Sequence, residues 1–359
     1  MKKEHILIIR FSALGDVAML VPVVASLAQQ YPDIRITVLS RPFARPLFEG
    51  LAPNVGFMGA DIKNEYHGVR GLNTLYRRLT AKQFTAVADM HNVLRSNFLR
   101  LRFNLGHYKV DHINKHRRGK RQLTSYRNRK LIQQPTSFQN YADVLERIGY
   151  PVTLDTSWKL DLSKVPELYA RNGAPLSSFL STLNIGIAPF AAHQGKIYPL
   201  QHMERVMELL TERHPDAKFF LFGGGSKEVA VINEWCGKYK QCVSVPSLLK
   251  GIDKEVTLMS HLNVMISMDS ANMHFASLVA TPVVSIWGAT HPYAGFMGWG
   301  QDATNVVQLD MDCRPCSIFG NKPCRRGDFA CMMNIPPEQI VQKVESILTQ
   351  NKKYALSAE

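Results

Sequence analysis

The string Ser267-Met-Asp269-Ser270-Ala271-Asn-Met-His274 carries the densest chemistry in this chain of 359 residues. An acid, a hydroxyl and an imidazole follow the apolar run Val264-Met-Ile-Ser267, and a new helical spacing starts with them. That pattern reads as a strand feeding a helix, and helix N-termini bind anions. The plainer alternative is that Asp269 or Ser270 caps the helix and nothing more. Three other positions have the same strand-end or helix-start setting. Asp16 closes the loop Phe11-Ser12-Ala-Leu-Gly-Asp16, where a carboxylate can serve as a general base or merely cap a helix. Lys196, in Ala191-Ala-His-Gln-Gly-Lys196, can meet phosphate as a point charge or be an exposed loop lysine. Glu228, after Gly223-Gly-Gly225, can accept from ribose hydroxyls or be an ordinary first-turn glutamate.

The elements that must position these residues alternate between strand and helix. Ile6-Leu-Ile-Ile9 is a continuous apolar run, as buried parallel strands require. It is followed by helical spacing at Val17, Leu20, Val21, Val24 and Leu27, with Pro22 expected near the start or at a kink. Further strands are expected at 34–39 and at Ala86–Asp89. A second series is expected at 184–188, 218–222, 242–245, 263–267 and 281–286. A linker at 160–181 separates the two series, and a helix begins near Pro336. The expected architecture is two Rossmann-like halves facing across a cleft: residues 1–165, then 176–335, with a C-terminal helix and tail at 336–359. Neither half carries Gly-x-Gly-x-x-Gly after its first strand, and no P-loop occurs, which argues against redox dinucleotides and nucleotide hydrolysis.

Composition sets the class. Apolar residues make up 45% and charged residues 20%, as in soluble globular proteins, and no run is long enough to span a bilayer. The opening residues read as a strand rather than an export signal, so a reduced, cytoplasmic setting is expected. The net charge of +14 is concentrated between Arg95 and Lys130, where twelve Lys/Arg face one acid, Asp111. Such a segment attracts polyanions or is a solvated, partly mobile loop. Its few aromatics make nucleic acid the weakest partner. Cys313, Cys316, Cys324 and Cys331 lie in a turn-rich stretch and could hold a structural zinc ion. An iron–sulfur cluster or loosely packed thiols are the alternatives.

Lys196, Glu228, Asp269, Ser270 and His274 all fall at strand ends or helix starts, which suggests a nucleotide diphosphate ligand. With Asp16 as base in the other half, the chemistry is glycosyl transfer. In ordered strings across most of its length, the chain resembles glycosyltransferase family 9, the ADP-heptose:lipopolysaccharide heptosyltransferases of GT-B fold. These strings are Arg10–Asp16, Asp89–Ser96, Gly195–Pro199, Gly223–Glu228, Asp269–His274 and Pro282–Pro292. The resemblance implies that Asp16 is the base, that Lys196 contacts the diphosphate and that Glu228 holds the ribose. It implies that Asp269 meets the donor sugar, with Ser270, Ala271 and His274 near the phosphates. Ser12, Arg95, Arg117, Arg118, Lys120 and Arg121 would face a phosphorylated glycolipid acceptor or the inner leaflet. An inverting transfer from ADP-heptose is expected at the inner face of the inner membrane, with no catalytic cofactor and no nucleic-acid partner. Ala191, Ala192 and Ala271 depart from the family pattern and leave open another nucleotide sugar. A non-catalytic polyanion-binding protein is the alternative from a different class.

Overall fold

The computed structural model describes residues 4–163 and 165–356. The expected tail beyond Leu356 lies outside the described residues. The chain divides into two compact units. The first comprises residues up to His116 together with Pro135–Leu160; the second comprises Arg117–Gln134 and the chain from Asp161 onward.

The first unit is built on five parallel strands: β1 (His5–Ile9), β2 (Arg35–Ser40), β3 (Val55–Gly59), β4 (Ala86–Asp89) and β5 (Lys109–His112). Their order is β3-β2-β1-β4-β5. Every apolar residue of Ile6-Leu-Ile-Ile9 is fully buried, because helices cover both faces of a parallel sheet. Each such side chain contributes about 1.5–3 kcal/mol by leaving water. The helix Leu14–Gln30 is buried continuously from Val17 to Ala28. Pro22 lies in its interior rather than its first turn, contrary to the first of the two sequence expectations. The carbonyl of Pro22 accepts from Ser26 Oγ at 2.9 Å.

The second unit has six parallel strands: β6 (Asn184–Ala188), β7 (Lys218–Leu221), β8 (Cys242–Ser244), β9 (Val264–Met268), β10 (Val283–Ile286) and β11 (Val306–Val307). Their order is β11-β10-β9-β6-β7-β8. Buried Ile340, Val341, Val344 and Ile347 of the helix Pro337–Leu356 join the same core as Met203, Val206, Met207 and Leu210 of the helix Leu200–Arg213. Tyr198 Oη donates to Ile335 O at 2.8 Å and closes the turn before that last helix.

Two sequence expectations change here. The basic segment is not a loop: it contains the helix Leu94–Leu105, strand β5 and the helix Arg117–Leu123. It is also split between the units. Arg95 stays in the first, whereas Arg117, Arg118, Lys120 and Arg121, expected in the N-terminal half, belong to the second. Lys120 Nζ stands 4.4 Å from the ring centroid of Phe296, and Gln134 N–H donates to Tyr293 O at 2.8 Å. These contacts tie the segment to the second unit's loops.

Candidate active site

In each sheet the strand order reverses at one point, and open α/β sheets bind ligands beyond the carboxyl ends of the strands at that point. In the first unit the reversal lies between β1 and β4. The loop after β1 ends in the helix that holds Asp16. Asp16 sits in that helix's first turn, and its carboxylate accepts from Ala13 N–H at 3.2 Å. Capping is therefore part of its role. The carboxylate also meets Arg10 Nη2 at 2.6 Å, and Arg10 is only 7% exposed. Burial works against the Arg10 charge; Asp16, Tyr141 and Asp89 outweigh it and hold the guanidinium above its ordinary range. Tyr141 lies under the guanidinium at 5.7 Å, and its hydroxyl donates to Asp16 O at 3.1 Å. Burial pushes that phenol well above its ordinary value.

The loop after β4 faces the same reversal. Asp89 is fully buried, and its Oδ1 accepts from His91 N–H at 2.9 Å and Asn92 N–H at 2.8 Å. His91 Nδ1 accepts from Phe11 N–H at 3.4 Å, so its other nitrogen carries the proton and faces Ser12 Oγ at 3.4 Å. Burial, followed by the charges of Arg10 and Lys115, depresses the His91 ring to about 3. It is a neutral donor at physiological pH. Sequence reasoning gave no role to Arg10, His91 or Tyr141. A histidine two residues beyond the end of β4 was the available signal for one of them. Arg95 is exposed in the first turn of the helix Leu94–Leu105.

In the second unit the reversal lies between β6 and β9. The structure brings Lys196 and Asp269 together there. Lys196 Nζ is 2.9 Å from Asp269 Oδ2 and 3.1 Å from its backbone oxygen. Asp269 is 4% exposed and Lys196 15%, so this is no loose loop lysine. Ser270 is the N-cap residue of the helix Ala271–Leu278, but its side chain makes no cap bond. Ser270 Oγ instead lies 3.3 Å from Ser267 Oγ. Helix N-termini leave backbone N–H groups without intrahelical partners, and here the capping hydroxyl does not take one. Ala271 opens that helix, and His274 follows three residues on, buried at 5% exposure.

Glu228 stands one strand further along, after β7. Its Oε2 accepts from Gly224 N–H at 2.7 Å, the first-turn role the sequence left open. Gly225 precedes the helix Ser226–Lys238 with φ +85, a conformation that side chains rarely adopt.

The Lys196 loop is braced by the cysteine-rich segment. A Cβ on Gly320 would stand 2.6 Å from Lys196 Cγ, and a Cβ on Gly195 would stand 2.9 Å from Gly320 O. Cys316 and Ser317 N–H both donate to Ala289 O at 3.1 Å, while Ala289 N–H donates to Gly195 O at 2.9 Å. The buried Arg314 donates to Gly288 O at 2.7 Å, Thr290 O at 3.0 Å and Leu309 O. Cys313, Cys316, Cys324 and Cys331 line one small cavity of about 20 Å³ together with Arg314, Lys322, Arg325 and Arg326. Burial pushes the Cys331 thiol up to about 11 and raises Cys316 as well. Among the described residues, no three His, Cys, Asp or Glu side chains are already drawn together around a metal position.

Two units, each a doubly wound parallel sheet with polar residues at its reversal, make the two-sheet architecture of the GT-B fold. The profile of glycosyltransferase family 9 (heptosyltransferase) matches residues 72–323. The chain belongs to that family and is a glycosyltransferase. It is 23% identical over 292 residues to the lipopolysaccharide core heptosyltransferase OpsX of Haemophilus influenzae, covering 80% of each chain. Its fold resembles a family 9 glycosyltransferase from Veillonella parvula, with TM-score 0.73, 17% identity, and 98% and 99% of the two chains covered. It also resembles the E. coli ADP-heptose lps heptosyltransferase II, with TM-score 0.66, 18% identity, and 97% and 99% covered.

Proposed function

We propose that this enzyme transfers a heptose from ADP-heptose to a phosphorylated inner-core acceptor of lipopolysaccharide, with inversion and without a catalytic metal. The observation that carries this reading is the Lys196–Asp269 pair at the β6/β9 reversal, beside a helix N-terminus whose capping hydroxyl is turned elsewhere. The names of the relatives support the donor and the acceptor class.

Asp16 takes the proton of the acceptor hydroxyl as that oxygen attacks the anomeric carbon, and the diphosphate departs from the opposite face. Lys196 and the N–H groups of the helix beginning at Ala271 stabilise the charge that develops on the leaving group. Asp269 accepts from donor-sugar hydroxyls and holds Lys196 in place. The remaining oxygen of Glu228 receives the ribose. His274, one turn into the helix that begins at Ala271, is assigned with Ser270 to the donor phosphates. His91 and Ser12 line the acceptor side, with Arg95 beyond them.

Incubation with ADP-, UDP- and GDP-sugars and a lipopolysaccharide-core acceptor tests the reading. Heptose incorporation from ADP-heptose alone, with an inverted anomeric centre, is expected. Transfer from a UDP- or GDP-sugar instead would replace the donor; Ala191, Ala192 and Ala271 are where such a change would be written.

The four cysteines are proposed as a structural site for one zinc ion. They line one small cavity beside Arg314, Lys322, Arg325 and Arg326, whose charges would offset thiolates. Their side chains would have to close around the ion, since no three of them converge in this structure. The site would brace the Lys196 loop and take no part in the transfer. Elemental analysis should find about one zinc per chain. Fully active, metal-free protein with an unchanged melting temperature would leave the cysteines as ordinary thiols.

No helix among the described residues is long and apolar enough to cross a membrane. The enzyme is proposed to reach its glycolipid from the cytoplasm, at the inner face of the inner membrane.

A further inference from the structure

We propose that the strap 117–134, together with the turn carrying Phe319 and Arg325, is a docking face for an anionic lipid bilayer. This deepens the glycolipid-transfer reading and rests on it. The strap carries seven Lys/Arg and no acid. It also exposes large apolar side chains: Tyr126 is 70% exposed, Leu131 50% and Ile132 58%, while Phe319 in the facing turn is 55% exposed. Exposed cations, Arg127 and Lys130, flank them. Adjacent exposed aliphatics serve no purpose in a solvated loop, and they are what an interfacial element inserts beneath the headgroups. The cations meet the lipid phosphates at the same depth.

The strap is held rather than loose. Arg129 donates to Asp312 O, and Arg325 lies over the Tyr126 ring at 5.0 Å. Lys120 lies over Phe296, which meets Phe319 at 5.9 Å between centroids. A fixed surface loses little conformational freedom on binding. A free phosphorylated glycan would use the charges but not Leu131 or Ile132. A nucleic acid would need exposed stacking faces, and the strap's one tyrosine already has Arg325 over its ring.

The test is sedimentation of the full chain with phosphatidylcholine vesicles, with and without phosphatidylglycerol. Binding should require the anionic lipid and fall steeply with salt. Leu131→Ser with Ile132→Ser, and separately Arg127→Ser with Lys130→Ser, should each weaken it by roughly tenfold or more. All four side chains are exposed, so an unchanged melting temperature is expected. Turnover on a deacylated, water-soluble acceptor should match the unsubstituted chain. Equal binding to neutral and anionic vesicles, variants that bind like the unsubstituted chain, or tight duplex binding without vesicle binding would each overturn the proposal. Salt-sensitive vesicle binding that the variants lose, in a protein that transfers no heptose, would sink the transfer reading and leave the docking face standing.

Discussion

Asp16 shows how one carboxylate can serve two ends. It caps its own helix and it pairs with a buried arginine, and the second contact fixes its direction. Asp16→Asn keeps an acceptor for Ala13 N–H and leaves Asp89 near the buried Arg10, so the fold should survive with some loss of stability from the lost ion pair. Turnover should fall about 10²–10⁴-fold, the usual contribution of a general base, with nucleotide-sugar affinity unchanged. Near-normal turnover would remove Asp16 as the base. Lys196 requires more care, because Asp269 is buried against it. Lys196→Met should weaken donor binding and also destabilise by about 3–5 kcal/mol, since it strands a buried carboxylate. Adding Asp269→Asn should restore the stability but not the affinity; denaturant midpoints and donor titrations separate the two effects. His91 gives a pH signature. Its folded-state value, about 3, lies below the unfolded 6.5, so its contribution is complete above pH 6.5 and is lost as pH falls toward 3. The slope from this group is at most about 1.4 kcal/mol per pH unit. His91→Gln should flatten acid denaturation across that window; an unchanged pH profile would mean that folding does not shift the ring's pKa.

At the scale of elements, each unit gathers candidate polar residues where its sheet changes direction. The loops after β1 and β4 flank one reversal, and the loops after β6 and β9 flank the other. Helix N-termini at Leu14 and Ala271 aim at those places. The segment holding Gly320 acts as a brace, pinned through Arg314, Cys316 and Ser317 to the residues after β10. Gly320 has φ +73 and no space for a Cβ against the Lys196 stem. Gly320→Ala should therefore shift Lys196 and raise the donor KM several-fold, by about 1 kcal/mol or more. The acceptor KM should stay as it was. If the donor KM does not move, Lys196 is held by Asp269 alone.

At the scale of the whole molecule, the division of residues between two units makes a prediction of its own. The proposed donor contacts all belong to the second unit and Asp16 to the first. A nucleotide sugar at ~100 times its Kd should stabilise by about 2.7 kcal/mol, both in the unsubstituted chain and in Asp16→Asn. The thermal shift should shrink in Lys196→Met. Loss of the shift in Asp16→Asn would place Asp16 in the donor site instead. The strap alters an expectation at this scale too. Arg117, Arg118, Lys120 and Arg121 pack with the unit that holds the donor loops, so their replacement can no longer be expected to affect the acceptor alone.

Local pattern was enough to read the alternating architecture, because a fully apolar run such as Ile6–Ile9 has no solution except burial on both faces. It was also enough to place Lys196, Asp269, Ser270 and Asp16 at strand ends, since hydrophobic period and polar interruption are both visible along the chain. β3 was missed because Val55–Gly59 contains two glycines and is only half-buried at the sheet edge, so neither alternation nor a solid apolar run marks it. β5 was hidden among the charges of Lys109–His112 for the same reason. Pairings were out of reach. Lys196 and Asp269 are 73 residues apart, and only the adjacency of β6 and β9 makes them a pair. Arg10, His91 and Tyr141 gather around Asp16 through strand neighbours and a helix from far along the chain. The strap's membership in the second unit is a matter of which surface it packs on. Periodicity records which face of an element is buried, and tertiary packing alone decides against what.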